Sequence, residues 1–406
     1  MESIAYLYKD FNDLVFVKST FENNTYTVYL RFNKRVKAVC SECGNPFGKK
    51  AHSKHTRTLQ DISTHSAQNA FAYKVIVKVD MHKYKCTQCG QIRTPAISMA
   101  QKGNRYTNRL RSMAIEHLDA QTTIKKVASF TGISESTINR MEMEHIQASL
   151  PPPQEAKPRI IAVDEIAIRK GRKYATVVYD WESGTILWMV KGHDSEALET
   201  YIHTLTDEQK AGIEIVSMDM WRPYHHAVEK LLPHAKIIAD PFHVSKAIYK
   251  SVEEQRKIEF ETIQKEERLN FLEQRKKQIG MFKKNPDNLE PDQYDSLTED
   301  LKKNESLYKL YILKERVHGL WKIKTLDQAK TTLHQIVLDF IQSPFEKLQK
   351  VCKTIMGYYD KILNGFEYQV NNGKAEGINN KIKVFKRKGY GYPNFEKFKA
   401  RVMFYV

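Results

Sequence analysis

The stretch Arg159-Ile-Ile-Ala-Val-Asp-Glu165 decides the fold. Four apolar residues, three of them β-branched, run straight into an acidic pair, which reads as a buried strand with Asp164 at its end. Ile213-Glu-Ile-Val-Ser-Met-Asp-Met-Trp221 repeats the pattern and gives a second strand-borne carboxylate, Asp219. A third acid, Glu376, lies in Asn371-Asn-Gly-Lys-Ala-Glu-Gly-Ile-Asn-Asn380 and opens an apolar and basic segment that reads as a helix. Carboxylates are costly to bring together unless a cation sits between them. Two strands and a helix converging on a pair of divalent metals is the arrangement that phosphoryl-transfer nucleases need.

The flanks of that stretch extend the reading. Strands are expected at 159–168, 173–181 and 184–191, with turns at Gly171 and Glu182-Ser-Gly184. A helix (195–206), a strand (213–219), a helix (222–232) and a strand (235–240) follow. Three hairpin-connected strands and then alternating helix and strand is the order of a ribonuclease H-like core. From 244 to 370 no strand pattern appears, so this span is expected to be an all-α insertion between the second and third carboxylates. The Glu, Lys, Arg and Gln density of 250–280 reads as a solvated helix face rather than a coiled coil. Pro151, Pro152 and Pro153, with Pro158, form a stiff linker on the other side.

Upstream, Thr25–Phe32 and Tyr73–Val79 alternate as strands do, whereas 104–148 reads as helices. Cys40-Ser-Glu-Cys43 and Cys86-Thr-Gln-Cys89, 42 residues apart and each followed by glycine (Gly44, Gly90), are two knuckles of one tetrahedral metal site. Two β-strands can fill the gap between them. A disulfide framework does not suit a cytosolic chain. Four thiolates leave no open position, so this zinc is expected to organise the fold rather than to catalyse. Lys34, Arg35, Lys37, Lys49 and Lys50 would make the knuckle face DNA, and Cys352 reads as core.

Thr123-Ile-Lys-Lys-Val-Ala-Ser-Phe-Thr-Gly132 followed by Ile-Ser-Glu-Ser-Thr-Ile-Asn-Arg140 has the logic of a helix-turn-helix. Val127 and Ala128 bury the first helix, Gly132 permits the turn, Ser134 caps the second helix and Ile138 packs it. Ser136, Thr137 and Arg140 would then face the major groove. A helix pair packed only for structure is the alternative. The basic residues Arg105, Arg109 and Arg111 favour DNA.

The fold class is therefore multidomain α+β and α/β. It comprises a zinc-binding β domain (1–100), a helix-turn-helix domain (101–150), a ribonuclease H-like mixed core (151–243), a helical insertion (244–370), and the core's C-terminal helix with a basic tail (371–406). Charge supports a polyanion partner. The net charge of +17 comes from +10 in residues 1–150 and +7 in 374–406, while 151–373 is neutral. No apolar run approaches the ~20 residues of a membrane span, and the N-terminus lacks the order of a signal peptide. A cytoplasmic, nucleoid-associated protein is the expectation.

In sequence order the knuckle, the helix-turn-helix, Val163-Asp-Glu, Ser217-Met-Asp-Met-Trp-Arg-Pro-Tyr224, Ala239-Asp-Pro-Phe-His-Val244 and Glu376-Gly-Ile-Asn-Asn-Lys-Ile-Lys383 resemble the ISL3 family of insertion-sequence transposases, of the DDE class, from about Cys40 to Phe404. The resemblance implies that Asp164, Asp219 and Glu376 are the catalytic carboxylates holding two Mg²⁺, with Mn²⁺ able to substitute. It also implies action on terminal inverted repeats and target DNA as a homodimer or higher oligomer. The family's Cys-or-Asp, two residues, then His motif stands here as Asp240-Pro-Phe-His243, and Asn371-Asn-Gly373 replaces an expected Ser-Asn-Gly. Further expectations concern the surroundings of the carboxylates. Lys383, two helical turns after Glu376, is a phosphate contact or a solvated lysine. Lys386, Arg387 and Lys388 begin a basic, aromatic run to Tyr392 suited to a DNA strand. Trp221 either packs or stacks on a displaced base; Asp240 and His243 stand beside the carboxylates, and His243 tunes the site, binds the scissile strand or is a satisfied structural residue. Strand alternation turns Glu165 away from Asp164 and leaves it out of the metal site. Two other readings stay open: a catalytically silent zinc and helix-turn-helix regulator, and a ribonuclease H-like nuclease that reads DNA shape.

Overall fold

The computed structural model describes residues 7–48, 50–66, 69–150, 156–169, 173–262, 278–371, 373–389, 392 and 394–406. Lys49, the linker prolines 151–153, the turn at Gly171, Asn372, residues 390–391 of the basic run, and 263–277 of the charged helical stretch lie outside them. The chain divides into two compact units at Leu150.

The first unit opens with β1 (Leu14–Glu22), β2 (Thr25–Phe32), β3 (Ser53–Ser66), β4 (Asn69–Lys85) and the short β5 (Ile92–Arg93). The sheet order is β1-β2-β4-β3, with β5 paired to β4 and β2 running parallel to β4. Alternate residues turn inward on each strand, as the pleat requires, so Val28, Leu30, Leu59, Val75, Val77 and Val79 make one core. The long β3–β4 hairpin fills the gap between the two cysteine pairs. Three helices follow: α1 (Asn108–Asp119), α2 (Ile124–Thr131) and α3 (Glu135–Ser149).

A buried ionic knot joins sheet to helices. Asp61 of β3 is fully buried. It accepts from Tyr8 Oη (2.6 Å), Thr107 Oγ1 (2.6 Å) and Arg109 Nε (2.7 Å), and forms a second bond with Arg109 Nη2. Burial alone would raise its pKa, but these hydrogen bonds outweigh burial and hold the carboxyl below its ordinary value. Arg109 is thus a structural partner of Asp61, contrary to the expectation that it belongs to a DNA-facing stretch.

The second unit is built on β6 (Ile160–Arg169), β7 (Lys173–Asp180), β8 (Ile186–Lys191), β9 (Ile215–Met218) and β10 (Lys236–Ala239), in the order β10-β9-β6-β7-β8. β6, β7 and β8 are antiparallel neighbours, and β9 and β10 add parallel to β6. Helices α4 (Ser195–Thr204), α5 (Asp207–Gly212) and α6 (Arg222–Leu231) make the crossovers. This is a ribonuclease H-like sheet. Ile161 and Val163 of β6 pack into the cluster of α4 and α6, while Ile160 faces Ile215, Ile238 and Val370 on the other side.

After β10 the described residues form helices: α7 (Pro241–Thr262), α8 (Pro291–Lys302), α9 (Glu305–Leu320), α10 (Leu326–Gln342), α11 (Glu346–Gly357) and α12 (Tyr359–Tyr368). Their apolar faces share one core that includes the buried Cys352. α13 (Gly373–Lys388) then returns to the sheet, and α14 (Phe395–Tyr405) follows. Among the described residues no helix is long and apolar enough to cross a membrane.

Candidate active site, cysteine knuckles and DNA-binding helices

β6 delivers Asp164 to the sheet face that α13 covers. Asn379 Nδ2 donates to Asp164 Oδ2 at 2.5 Å, and the Asn379 side-chain oxygen accepts from Tyr179 Oη of β7. Asn379 lies one helical turn after Glu376, so both project from the same side of α13. Asp164 and Glu376 line one cleft of about 660 Å³ together with Asp240, His243, Asn379 and Lys383.

Asp219 follows the last residue of β9 and is fixed through its backbone. His225 Nε2 lies 2.8 Å from the Asp219 carbonyl, and Trp221 N donates to Asp219 Oδ1 at 3.1 Å. Burial lowers the His225 pKa to about 4, so the ring is neutral and Nε2 carries the donated proton. Tyr358 at the head of α12 donates to the next carbonyl, Met220 O (3.1 Å), which ties the same turn to the helical insertion.

The Asp-Pro-Phe-His motif is a helix start. Pro241 opens α7, where a missing N–H costs nothing, and Asp240 Oδ1 accepts from Phe242 N at 3.3 Å. His243, in that first turn, reaches back between two acids. Its Nδ1 is 4.0 Å from Asp219 Oδ2 and its Nε2 is 3.8 Å from Asp240 Oδ2. Burial pushes the Asp164 carboxyl up, and pushes Asp219 up to about 6, where Glu165 and Asp164 add repulsion and His243 opposes it. These buried acids repel one another, and bound cations would relieve the repulsion.

The structure brings Asp164, Glu376, Asp240, His243 and Lys383 to one cleft and holds Asp219 beside it through His243. Of the three carboxylates, Asp164 and Glu376 line that cleft and Asp219 is not among its lining residues. Among the described residues the four cysteines are the group whose ligand atoms lie within 4.8 Å. Glu165 does occupy the strand face opposite Asp164, yet it too lines the cleft and acts on Asp219. Alternation alone therefore does not remove it from the site. Trp221 caps α6, stacks on His193 (5.6 Å between centroids, 12°) and donates from Nε1 to His193 O at 2.6 Å. Lys386 Nζ donates to Ala167 O of β6 at 2.5 Å, while Arg387 and Lys388 are exposed. Asn379 and His225 were not singled out from the sequence. The second asparagine-rich half of the Glu376 motif was the available sign for Asn379.

The knuckles are built alike. Gly44 (φ 72°) and Gly90 (φ 69°) turn the chain so that Gly44 N bonds Cys40 O and Gly90 N bonds Cys86 O, each at 3.0 Å. Cys43 Sγ–Cys86 Sγ is 3.6 Å and Cys40 Sγ–Cys89 Sγ is 4.0 Å. Thiolates at Zn–S ≈ 2.3 Å in a tetrahedron stand roughly 3.8 Å apart, so this donor set fits zinc. Backbone amides, that of Cys89 first, pull the Cys86 thiol down to about 7, toward the ligating thiolate form.

In the helix pair, Gly132 has φ 67°, and a Cβ there would meet Gln60 Nε2 at 2.8 Å. The left-handed φ is what calls for glycine, and a Cβ would in addition displace the Gln60 side chain. Ser134 caps α3 by accepting from Thr137 N (3.4 Å), and its hydroxyl also reaches Ser136 and Thr137. Ser136 and Arg140 are exposed, and Arg140 pairs only loosely with Glu144 at 3.8 Å.

This geometry defines a class: a ribonuclease H-like fold carrying clustered carboxylates, attached in sequence to a cysteine knuckle and a helix-turn-helix. Comparison with known proteins gives the family. The ISL3 DDE model described as "Transposase" matches residues 161–402, and the "Helix-turn-helix domain of transposase family ISL3" matches 95–146. The chain belongs to the ISL3 family of transposases. It is 27% identical over 385 residues to the transposase for insertion sequence element IS1001 of Bordetella parapertussis, covering 93% of this chain and 91% of that one. It is 24% identical over 256 residues to the transposase for insertion sequence element IS1557 of Mycobacterium tuberculosis, covering 58% and 57%. A Lactococcus lactis protein described as an ATP-dependent protease is 31% identical over 135 residues, covering 33% of this chain and 41% of its own.

Proposed function

We propose that this transposase binds the terminal inverted repeats of its element and cuts and joins DNA strands at the cleft bordered by Asp164, Asp219 and Glu376. The observation that carries the reading is the meeting of Asp164 and Glu376 on one cleft, with Asp219 held at its edge through His243. Mg²⁺ or Mn²⁺ bound by the three carboxylates would supply the activated hydroxyl nucleophile and stabilise the leaving 3′-oxygen. The chain's own groups do the rest. Asn379 orients Asp164, His225 and Tyr358 fix the turn carrying Asp219, and Lys383 offers its ammonium to a phosphate at the cleft wall. Cys40, Cys43, Cys86 and Cys89 hold a structural zinc. Ser136, Thr137 and Arg140 read the major groove, and a homodimer or higher oligomer pairs two element ends.

A second reading, a DNA-binding regulator without catalysis, is favoured by one observation: Asp219 is not among the residues lining the cleft that Asp164 and Glu376 share. Cleavage of a labelled element-end duplex by zinc-replete protein, with and without Mg²⁺, separates the two. Mg²⁺-dependent nicking at the repeat boundary, abolished in Asp219→Asn while end binding persists, is the expected result. Tight, specific binding without nicking, with two ends supplied, would move the assignment to the regulator.

A further inference from the structure

The sheet of the first unit has two edges, and the chain treats them differently. Along β3 the edge is sealed: Gln60 N donates to Arg105 O at 2.8 Å, and Thr107 N donates to Gln60 O at 2.9 Å. Along β1 it is open, since among the described residues β1 pairs with β2 alone. Asn23 (φ 47°) and Asn24 (φ 61°) close the β1–β2 hairpin as a two-residue turn. The residues flanking such a turn bond each other. Glu22, Thr20 and Lys18 therefore turn their backbone groups to β2, and Ser19 and Phe21 turn theirs outward. A bulge at Val17 ends this regular stretch.

The side chains of that stretch match themselves in reverse. Lys18 and Glu22 are exposed, and neither forms an ion pair among the described residues; the Lys18 ammonium lies over the Tyr29 ring at 5.1 Å. Phe21 is 48% exposed. Lys18 and Glu22 are the only charges from Leu14 to Asn24, net zero, in a unit that carries +10, so this edge is not built for a polyanion. We propose that β1 pairs antiparallel with β1 of a second copy, about a twofold axis through Thr20. Ser19 and Phe21 of each copy then exchange backbone bonds with Phe21 and Ser19 of the other. Lys18 stands opposite Glu22 of the second copy, twice over, in the close non-hydrogen-bonded pairs. Phe21 stands opposite the small Ser19, which leaves room for its ring. A slip of two residues either way loses both ion pairs, so Lys18 and Glu22 select the register as well as the partner.

The pairing covers residues 18–22 alone and falls short of the roughly 1,200–2,000 Å² of a standard stable interface. It therefore acts between copies already held close on two element ends, where effective concentration makes a weak contact sufficient. The inference rests on the end-pairing reading above and adds the surface that joins the copies.

The test uses full-length, zinc-replete protein on an element-end duplex with Ca²⁺ in place of Mg²⁺. Thr20 meets Thr20 of the second copy at a Cα separation of about 4.5 Å, within disulfide reach, whereas the two Lys18 residues stand roughly 14 Å apart. Under mild oxidation Thr20→Cys is expected to give a covalent dimer on DNA, and the parent and Lys18→Cys are not. Lys18→Glu or Glu22→Lys alone should lower the yield of two-end complexes roughly tenfold, with one-end affinity little changed, as mass photometry would count them. Combining Lys18→Glu with Glu22→Lys should restore the yield. Absence of the Thr20→Cys dimer, crosslinking through Lys18→Cys, or failure of the combined variant to restore pairing each overturns the proposal. Mg²⁺-dependent nicking by the parent without a Thr20→Cys dimer would defeat this inference alone. A covalent dimer on DNA with no nicking by the parent would defeat the catalytic reading alone.

Discussion

The cysteine knuckles and the carboxylate cleft are both metal sites in prospect, and they are assembled in opposite ways. Each knuckle is a four-residue turn closed by a glycine, so each pair of thiols is set by local backbone geometry and only the two halves must be joined by the β3–β4 hairpin. The carboxylates come from a strand, the turn after another strand, and a helix on the far side of an all-α insertion. The sulfurs stand within 4.8 Å of one another, whereas of the three carboxylates Asp164 and Glu376 line the cleft and Asp219 is not among its lining residues. A closed site of this kind suits a metal that holds structure, and an open site suits one that must admit substrate. The difference teaches that thiolate ligands can be written into short motifs, while a catalytic carboxylate site is a property of the tertiary fold.

The largest expected effect falls on the open site. Asp219→Asn should cost at least about 10³-fold in strand cleavage with little change in thermal stability, because it removes a buried acid whose pKa the site already raises. Measured single-turnover cleavage within tenfold of the parent would break the comparison. The closed site should respond the other way. Cys40→Ser, or stripping the metal with a strong chelator, should unfold residues 1–150 and abolish end binding, read as loss of their melting transition. Survival of that transition in metal-free protein would show the knuckle to be dispensable.

Smaller effects sharpen the contrast. Asn379→Ala should lower cleavage about 10–100-fold while leaving duplex affinity alone, the mark of a residue that positions Asp164. An equal loss in Asn379→Asp and in Asn379→Ala would be expected if the amide donor is what matters. Asp61→Asn should destabilise the first unit by about 3 kcal/mol, since Arg109 is left without its buried partner. The Asp61 pKa is lower in the folded protein than in the unfolded chain, so its contribution is present above about pH 4 and is lost as pH falls through the folded value. Denaturant midpoints of parent and variant should therefore converge in acid, and parallel profiles would refute the linkage. Arg140→Ala should weaken end binding and reduce the salt slope by about 1 if Arg140 meets a phosphate, or relax specificity at one base pair if it meets a base.

Much of the frame was legible because it is written in local pattern. The runs ending at Asp164 and Asp219 are strand-borne acids, Gly132 is the helix-turn-helix turn, and the cysteine spacing gives the knuckles. What the sequence did not disclose depends on which element lies beside which. Nothing in β3 marks Asp61 as the partner of Arg109, 48 residues on. The asparagine pair after Glu376 marks α13 as polar there, but only the packing of α13 on β6 selects Asn379 as the amide that reaches Asp164. Glu165 was set aside by strand alternation, yet it lines the same cleft as Asp164 and acts on Asp219. The parallel pairing of β2 with β4 is likewise set by the intervening chain rather than by either strand's residues.

Asp164 and Asn379 are 215 residues apart, with the whole helical insertion between them. At the pace of protein synthesis, about 5–20 residues per second, Asn379 and the neighbouring Glu376 leave the ribosome roughly 10–40 s after Asp164. Throughout that interval the growing chain already carries its cysteine knuckles and its helix-turn-helix. On the proposed function it would hold DNA before it could cut it, and a message broken anywhere within the insertion would yield a product limited to the first of these acts.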